Sequence, residues 1–92
     1  MNLEKSWKIT IKYLNAARRK LPEEMFFSEA KEAEKDFNEY LKHNELELAM
    51  NALDDMGILS NAPDEFWLDL ELAASNMGLL ADAERFNRIR NT

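Results

Sequence analysis

The sequence predicts an all-α fold, a compact bundle of four to five amphipathic helices, and three observations carry that prediction. Valine is absent and isoleucine and threonine are few, while alanine, leucine, glutamate, lysine, asparagine and methionine take their place; that composition favours helix over strand. Only two glycines and two prolines interrupt the chain. Apolar residues recur at spacings of three and four, the period of a helix with one buried face. The 92 residues suffice for one hydrophobic core and make a single domain, 1–92.

The first helix is predicted from about Leu3 to Lys20. Leu3, Trp7, Ile11, Leu14 and Leu21 form its core line, and Arg18, Arg19 and Lys20 complement the negative end of its dipole. A second apolar line, Ile9, Tyr13 and Ala16, lies on the other side, as in a helix packed between neighbours. After the break at Leu21-Pro22, a second helix is expected to reach about Lys42, starting either just after Pro22 or at Ser28, which offers an N-cap. Its stripe is Phe26, Ala30, Ala33, Phe37, Tyr40 and Leu41.

Asn44 is expected to end the second helix and to cap a third, since the third residue after it is Glu47, as in a capping box. Leu46, Ala49, Met50, Leu53 and Met56 turn inward, and Gly57 is the expected left-handed stop. Residues 58–62 read as a loop. Pro63, Asp64 and Glu65 then open a fourth helix with proline and acids in its first turn. Phe66, Trp67, Leu70, Ala73, Ala74 and Met77 face the core and Gly78 ends it, leaving Leu68 and Leu72 on the other side beside Glu65, Asp69 and Asn76. A short fifth helix, Leu80 to Arg90, offers Ala83, Phe86 and Ile89. At an offset of 33, Leu46, Met50, Leu53 and Met56 align with Leu79, Ala83, Phe86 and Ile89, which suggests repeat-like stacking in the second half.

Chemistry is conspicuous by what the residues cannot build. There is no cysteine and one histidine, His43, so thiolate metal sites and sites built on several imidazoles are excluded. Asp54-Asp55 is followed by Met56 and Gly57 without the alternating oxygen ligands of a calcium loop. Glu32, Asp36 and Glu39 share a face with Lys31, Lys35 and Lys42 within ordinary pairing reach, which reads as a solvated surface. Glycines at positions 57 and 78 alone cannot form a phosphate loop. The expectation is a protein that is not an enzyme and has no catalytic residue, cofactor or metal. The N-terminal twenty residues carry charge throughout, so neither a signal peptide nor a membrane span is expected there and the chain reads as cytoplasmic.

Charge is unevenly spread over a net −6. Residues 1–20 hold six cations against Glu4, residues 21–84 hold seventeen acids against Lys31, Lys35 and Lys42, and Arg85, Arg88 and Arg90 close the chain. An acidic middle repels phosphate backbones and steers a basic protein. Direct nucleic-acid binding therefore ranks well below protein binding, and a helix-turn-helix fails because the fourth helix, its reading helix, would present acids.

From Phe37 to Leu79 the chain carries Tyr40-Leu41, His43-Asn44-Glu45-Leu46-Glu47-Leu48-Ala49, Ala52-Leu53, Pro63-Asp64-Glu65-Phe66-Trp67, Leu70, Ala73-Ala74 and Met77-Gly78-Leu79. This pattern resembles small helical immunity proteins of bacterial polymorphic toxin systems, including those of contact-dependent growth inhibition. The resemblance implies a cytosolic antidote that binds the toxic domain of a cognate effector, often a nuclease, and it carries over no functional residue. On this reading the contacts are expected from the third and fourth helices and the loop between them: Glu45, Glu47, Asp54, Asp55, Asp64, Glu65 and Asp69, with Leu68 and Leu72 as apolar anchors. The alternative is a helical adaptor or a homodimer that pairs through Ile9 with Tyr13 and Leu68 with Leu72.

Overall fold

Amphipathic segments separated by short polar turns give five helices in the computed structural model, which describes residues 3–92 with side chains from residue 4. They are α1 (Leu3–Arg19), α2 (Ser28–Lys42), α3 (Leu46–Leu59), α4 (Asp64–Asn76) and α5 (Leu80–Arg90), and no strand occurs among the described residues. The predicted all-α bundle is therefore the fold. α2 packs on α3 and α4 on α5 as two hairpins, while α1 lies along α4 and touches α3 more lightly. The body measures 40 × 31 × 18 Å. Its least dimension is roughly two helix diameters, so the bundle is two helices thick.

α1 runs antiparallel to α4, with Lys20 beside Asp69 at one end and Ser6 and Thr10 beside Asn76 at the other. The Asn76 side-chain amide donates to Thr10 Oγ1 (2.7 Å) and to the Ser6 carbonyl (2.9 Å), satisfying a threonine that is 1% exposed. The buried line of α1 is Thr10, Leu14, Ala17 and then Leu21. Trp7, predicted in that line, is 46% exposed; at the end of α4 it is Ser6, about 100° around α1 from Trp7, that meets Asn76. The side chain of Leu3 lies outside the described residues. In the second line Ile9 is exposed, whereas Tyr13 packs against the core.

The connection from α1 to α2 is held by Arg18, which donates to the carbonyls of Pro22 (3.0 Å) and Glu23 (3.0 Å) and pairs with Glu34 on α2. Of the two starts open in the sequence, α2 takes Ser28, but Phe27 is its N-cap and no side chain closes the cap. Phe26, expected in the apolar stripe, is 89% exposed. Met25 supplies the burial instead, with Ser60 donating to its sulfur at 3.6 Å.

Two further expectations fail for identifiable reasons. Asn44 ends α2 as expected, at φ 58°, but does not cap α3: Glu45 is the N-cap, without a side-chain hydrogen bond, so there is no capping box. Gly57 does not stop α3, which continues to Leu59 before Asn61 takes the left-handed conformation at φ 51°. A Cβ at Gly57 would lie 2.3 Å from Phe66 Cε1 and 2.7 Å from Cζ, so this glycine is the point where the ring of α4 crosses α3. Gly78, expected to end α4, does so in the left-handed conformation, at φ 77°.

The core joins these elements through Phe37, Leu53, Met56, Leu70 and Phe86. Trp67 meets Phe66 edge-on at 4.8 Å between centroids and stacks on Phe86 at 6.0 Å. The repeat seen in the sequence has a backbone counterpart at a different offset. The turns after α2 and α4 match at 34 residues: Asn44 and Gly78 have positive φ, Glu45 and Leu79 follow at φ/ψ of −89°/74° and −88°/72°, and their amides bond to Tyr40 and Ala74. The apolar match was at 33, and one residue is a rotation of about 100°. α3 and α5 thus leave equivalent turns with different faces inward: Leu46 is 7% exposed, its turn equivalent Leu80 71%.

Candidate functional site

The acids predicted to bind a partner do not form one surface. Asp54, on the inner side of α3, pairs with Arg85 of α5, and its side chain is only 13% exposed. Burial raises its carboxyl above the ordinary 3.8, with the Arg85 hydrogen bond and charge pulling partly back. Asp69 reaches α1 and accepts from Lys20 at 2.5 Å. Both carboxylates therefore join helices together. Leu68 and Leu72 stay partly open at 38% and 37% exposure.

The remaining acids are exposed and fall in separate places. Glu45 and Glu47 stand at the start of α3. Asp64 and Glu65, with Leu68, line a depression closed by Arg90 and Asn91 at the end of α5. Asp55 lies elsewhere, in a furrow between α2 and α3. His43, at the end of α2, is exposed and sits 3.1 Å from Glu39.

That furrow is a continuous concave feature. Three adjoining depressions, sharing Ala33, Asp36, Asp55 or Glu29 from one to the next, run from Tyr40 and Leu48 at one end to Ile58 and Leu59 at the other. The geometry follows from helical spacing. Glu29, Ala33, Asp36 and Tyr40 form one line along α2, and Leu48, Ala52, Asp55 and Leu59 form another along α3, each at steps of three or four. Ala33 and Ala52 are both 7% exposed. Their short side chains leave the space that longer residues would fill.

The electrostatics of the furrow are one-sided. Glu29, Glu32, Asp36 and Asp55 line it and make no ion pair among the described residues. Lys31, Lys35 and Lys42 line none of the three depressions, sitting on average about 110° around α2 from the acids at about 100° per residue. Glu32, Asp36 and Glu39 are exposed, as the solvated face expected from the sequence requires, but no ion pair to Lys31, Lys35 or Lys42 occurs among the described residues. The wall that α3 adds to the furrow was not visible in the sequence.

Among the described residues no group of three or more histidine or acidic side chains is placed to hold a metal, and no helix is long and apolar enough to cross a membrane. No protein-family model, curated protein or solved structure matches this chain.

Proposed function

We propose that this protein is a non-catalytic binding protein that captures a cationic protein partner, acting as a cytoplasmic immunity protein that neutralises a cognate bacterial toxin. The observation that carries the reading is the division of charge. Arg18, Lys20, Arg85 and Arg90 are held in ion pairs with the protein's own acids, while Asp55, Asp64 and Glu65 line open depressions without one. Such carboxylates raise the encounter rate with a basic surface, and a nuclease toxin needs a basic cleft for its substrate. The resemblance of the segment from Phe37 to Leu79 to small helical immunity proteins supports the same reading.

The test is co-purification of the tagged protein with the product of the gene directly upstream, together with rescue of growth when that product is expressed. A stable complex and restored growth are expected. No complex and no rescue would sink the antidote reading. The second reading, a homodimeric adaptor, draws on the exposure of Ile9, Leu68 and Leu72. Sedimentation decides it: a dimer at micromolar concentration supports the adaptor, and a monomer supports a heterologous partner.

A further inference from the structure

We infer that the furrow between α2 and α3 is the docking site for a cationic amphipathic helix of the partner protein. The inference rests on the reading that this protein binds a basic protein, and it specifies the element bound and the place. Three features of the furrow select that occupant.

The first is shape. Two antiparallel helices leave a groove whose walls repeat every three to four residues, and the side-chain ridge of a third helix fits that spacing. From Leu48 to Leu59 the groove runs about 16 Å, at 1.5 Å per residue, matching roughly three turns of a docked helix. The floor is alanine on both sides, Ala33 and Ala52. The second is apolar surface without a cover. Leu48 is 45% exposed, Ile58 60% and Leu59 36%, all lining the same furrow, with Leu48 at one end and the other two at the opposite end. Large aliphatic side chains spaced along one groove are the anchors of an interface rather than scattered surface residues. The third is charge: among the described residues four carboxylates, Glu29, Glu32, Asp36 and Asp55, line the furrow, and no cation does.

A helix with apolar residues on one stripe and lysine or arginine flanking it satisfies all three. Nucleic acid offers phosphates to an acidic wall and is repelled. A second copy of this chain fits poorly. Its basic helix, α1, exposes Trp7 and Ile9, but two residues apart they point about 200° away from each other and make no stripe. Docking α1 of one copy into the α2–α3 groove of the next would also be head-to-tail, a contact that builds rings or filaments rather than a two-fold dimer.

The experiment titrates isotope-labelled protein with a synthetic lysine–leucine peptide of about four turns, its leucines on one helical stripe, and follows backbone amide shifts. A scrambled peptide of the same composition is the control. Saturable one-to-one binding is expected, with shifts confined to residues 29–40 and 48–59. Ala52→Leu, which fills the floor without changing charge, should weaken binding about tenfold. Asp55→Asn should weaken it and flatten its salt dependence, while Glu84→Gln, an equal charge change on α5, should not. Ala52→Leu is checked by its thermal unfolding, and Leu48→Ser at the exposed wall replaces it if the fold is lost. Equal binding of the scrambled peptide, shifts centred on the depression at Asp64 and Glu65, unchanged affinity of a folded groove variant, or self-association of the free protein would each overturn the proposal. Because the peptide stands in for no natural toxin, a failed titration removes the groove and leaves growth rescue to judge neutralisation. Failed rescue with the wild-type protein removes neutralisation and leaves the titration to judge the groove.

Discussion

At the scale of single residues, two positions have roles opposite to those their residue types suggest. Glycine within a helix is ordinarily a defect that alanine repairs by about 1 kcal/mol. Gly57 is the exception, since the added methyl would meet the buried Phe66 ring at 2.3 Å. Gly57→Ala should therefore destabilise by about 1–3 kcal/mol, measured by chemical denaturation, and a stabilised variant would show that the ring moves aside freely. Asp54 is the other case. A carboxyl raised by burial holds its proton more tightly in the folded state than in the unfolded chain. Its contribution to stability is thus largest at low pH and falls as pH rises from 3.8 through the raised value. Asp54→Asn lacks that titration, so it should gain stability relative to wild type as pH rises through this window and level off above it. Denaturation at a series of pH values reads the sign directly. A relative loss would mean that the attraction of Arg85 outweighs burial.

At the scale of elements, the left-handed turns decide where helices begin. Asn44 and Gly78 occupy equivalent places in two turns of matching backbone geometry, at φ 58° and 77°. Asparagine and glycine tolerate that conformation, whereas a Cβ without a local hydrogen-bonding group costs about 1–2 kcal/mol there. Asn44→Gly and Gly78→Asn should each leave thermal stability nearly unchanged, and Asn44→Ala and Gly78→Ala should each lose about 1–2 kcal/mol. If alanine were tolerated at both, the turns would not be setting the helix ends. The same turns explain why a repeat in the sequence does not become a regular solenoid. With α5 rotated by about one residue relative to α3, and α1 lying along α4, the two hairpins bury different faces.

At the scale of the molecule, acids that look alike in the sequence divide into those that hold helices together and those that face outward. Asp55→Lys should leave the unfolding midpoint close to wild type, slow association with a basic partner severalfold and weaken its salt dependence, as stopped-flow mixing at two ionic strengths would show. Asp54→Lys should instead lower the unfolding midpoint, because it places an ammonium against Arg85 where the side chain is nearly enclosed. Equal effects of the two reversals on association, with the fold intact, would contradict this division. The neighbours differ by one residue and about 100° of helix, which is enough to point one at α5 and the other into the furrow.

The sequence by itself determined the helical class, the approximate bounds of α1, α3, α4 and α5 and the end of α2, the stop at Gly78, most of the inward residues of α3 and α4, and the acidic middle, because each follows from local period, cap chemistry or composition. Only the tertiary structure decided that Trp7 and Phe26 are exposed, that Gly57 is a crossing point and not a stop, that Asp54 and Asp69 are committed to Arg85 and Lys20, and that Glu29, Glu32, Asp36 and Asp55 share one groove. The physical reason is common to all four. A helix's period says which residues share a face, but which faces meet, and how far along their length, depends on segments far apart in the chain, whose packing no single stretch of sequence encodes.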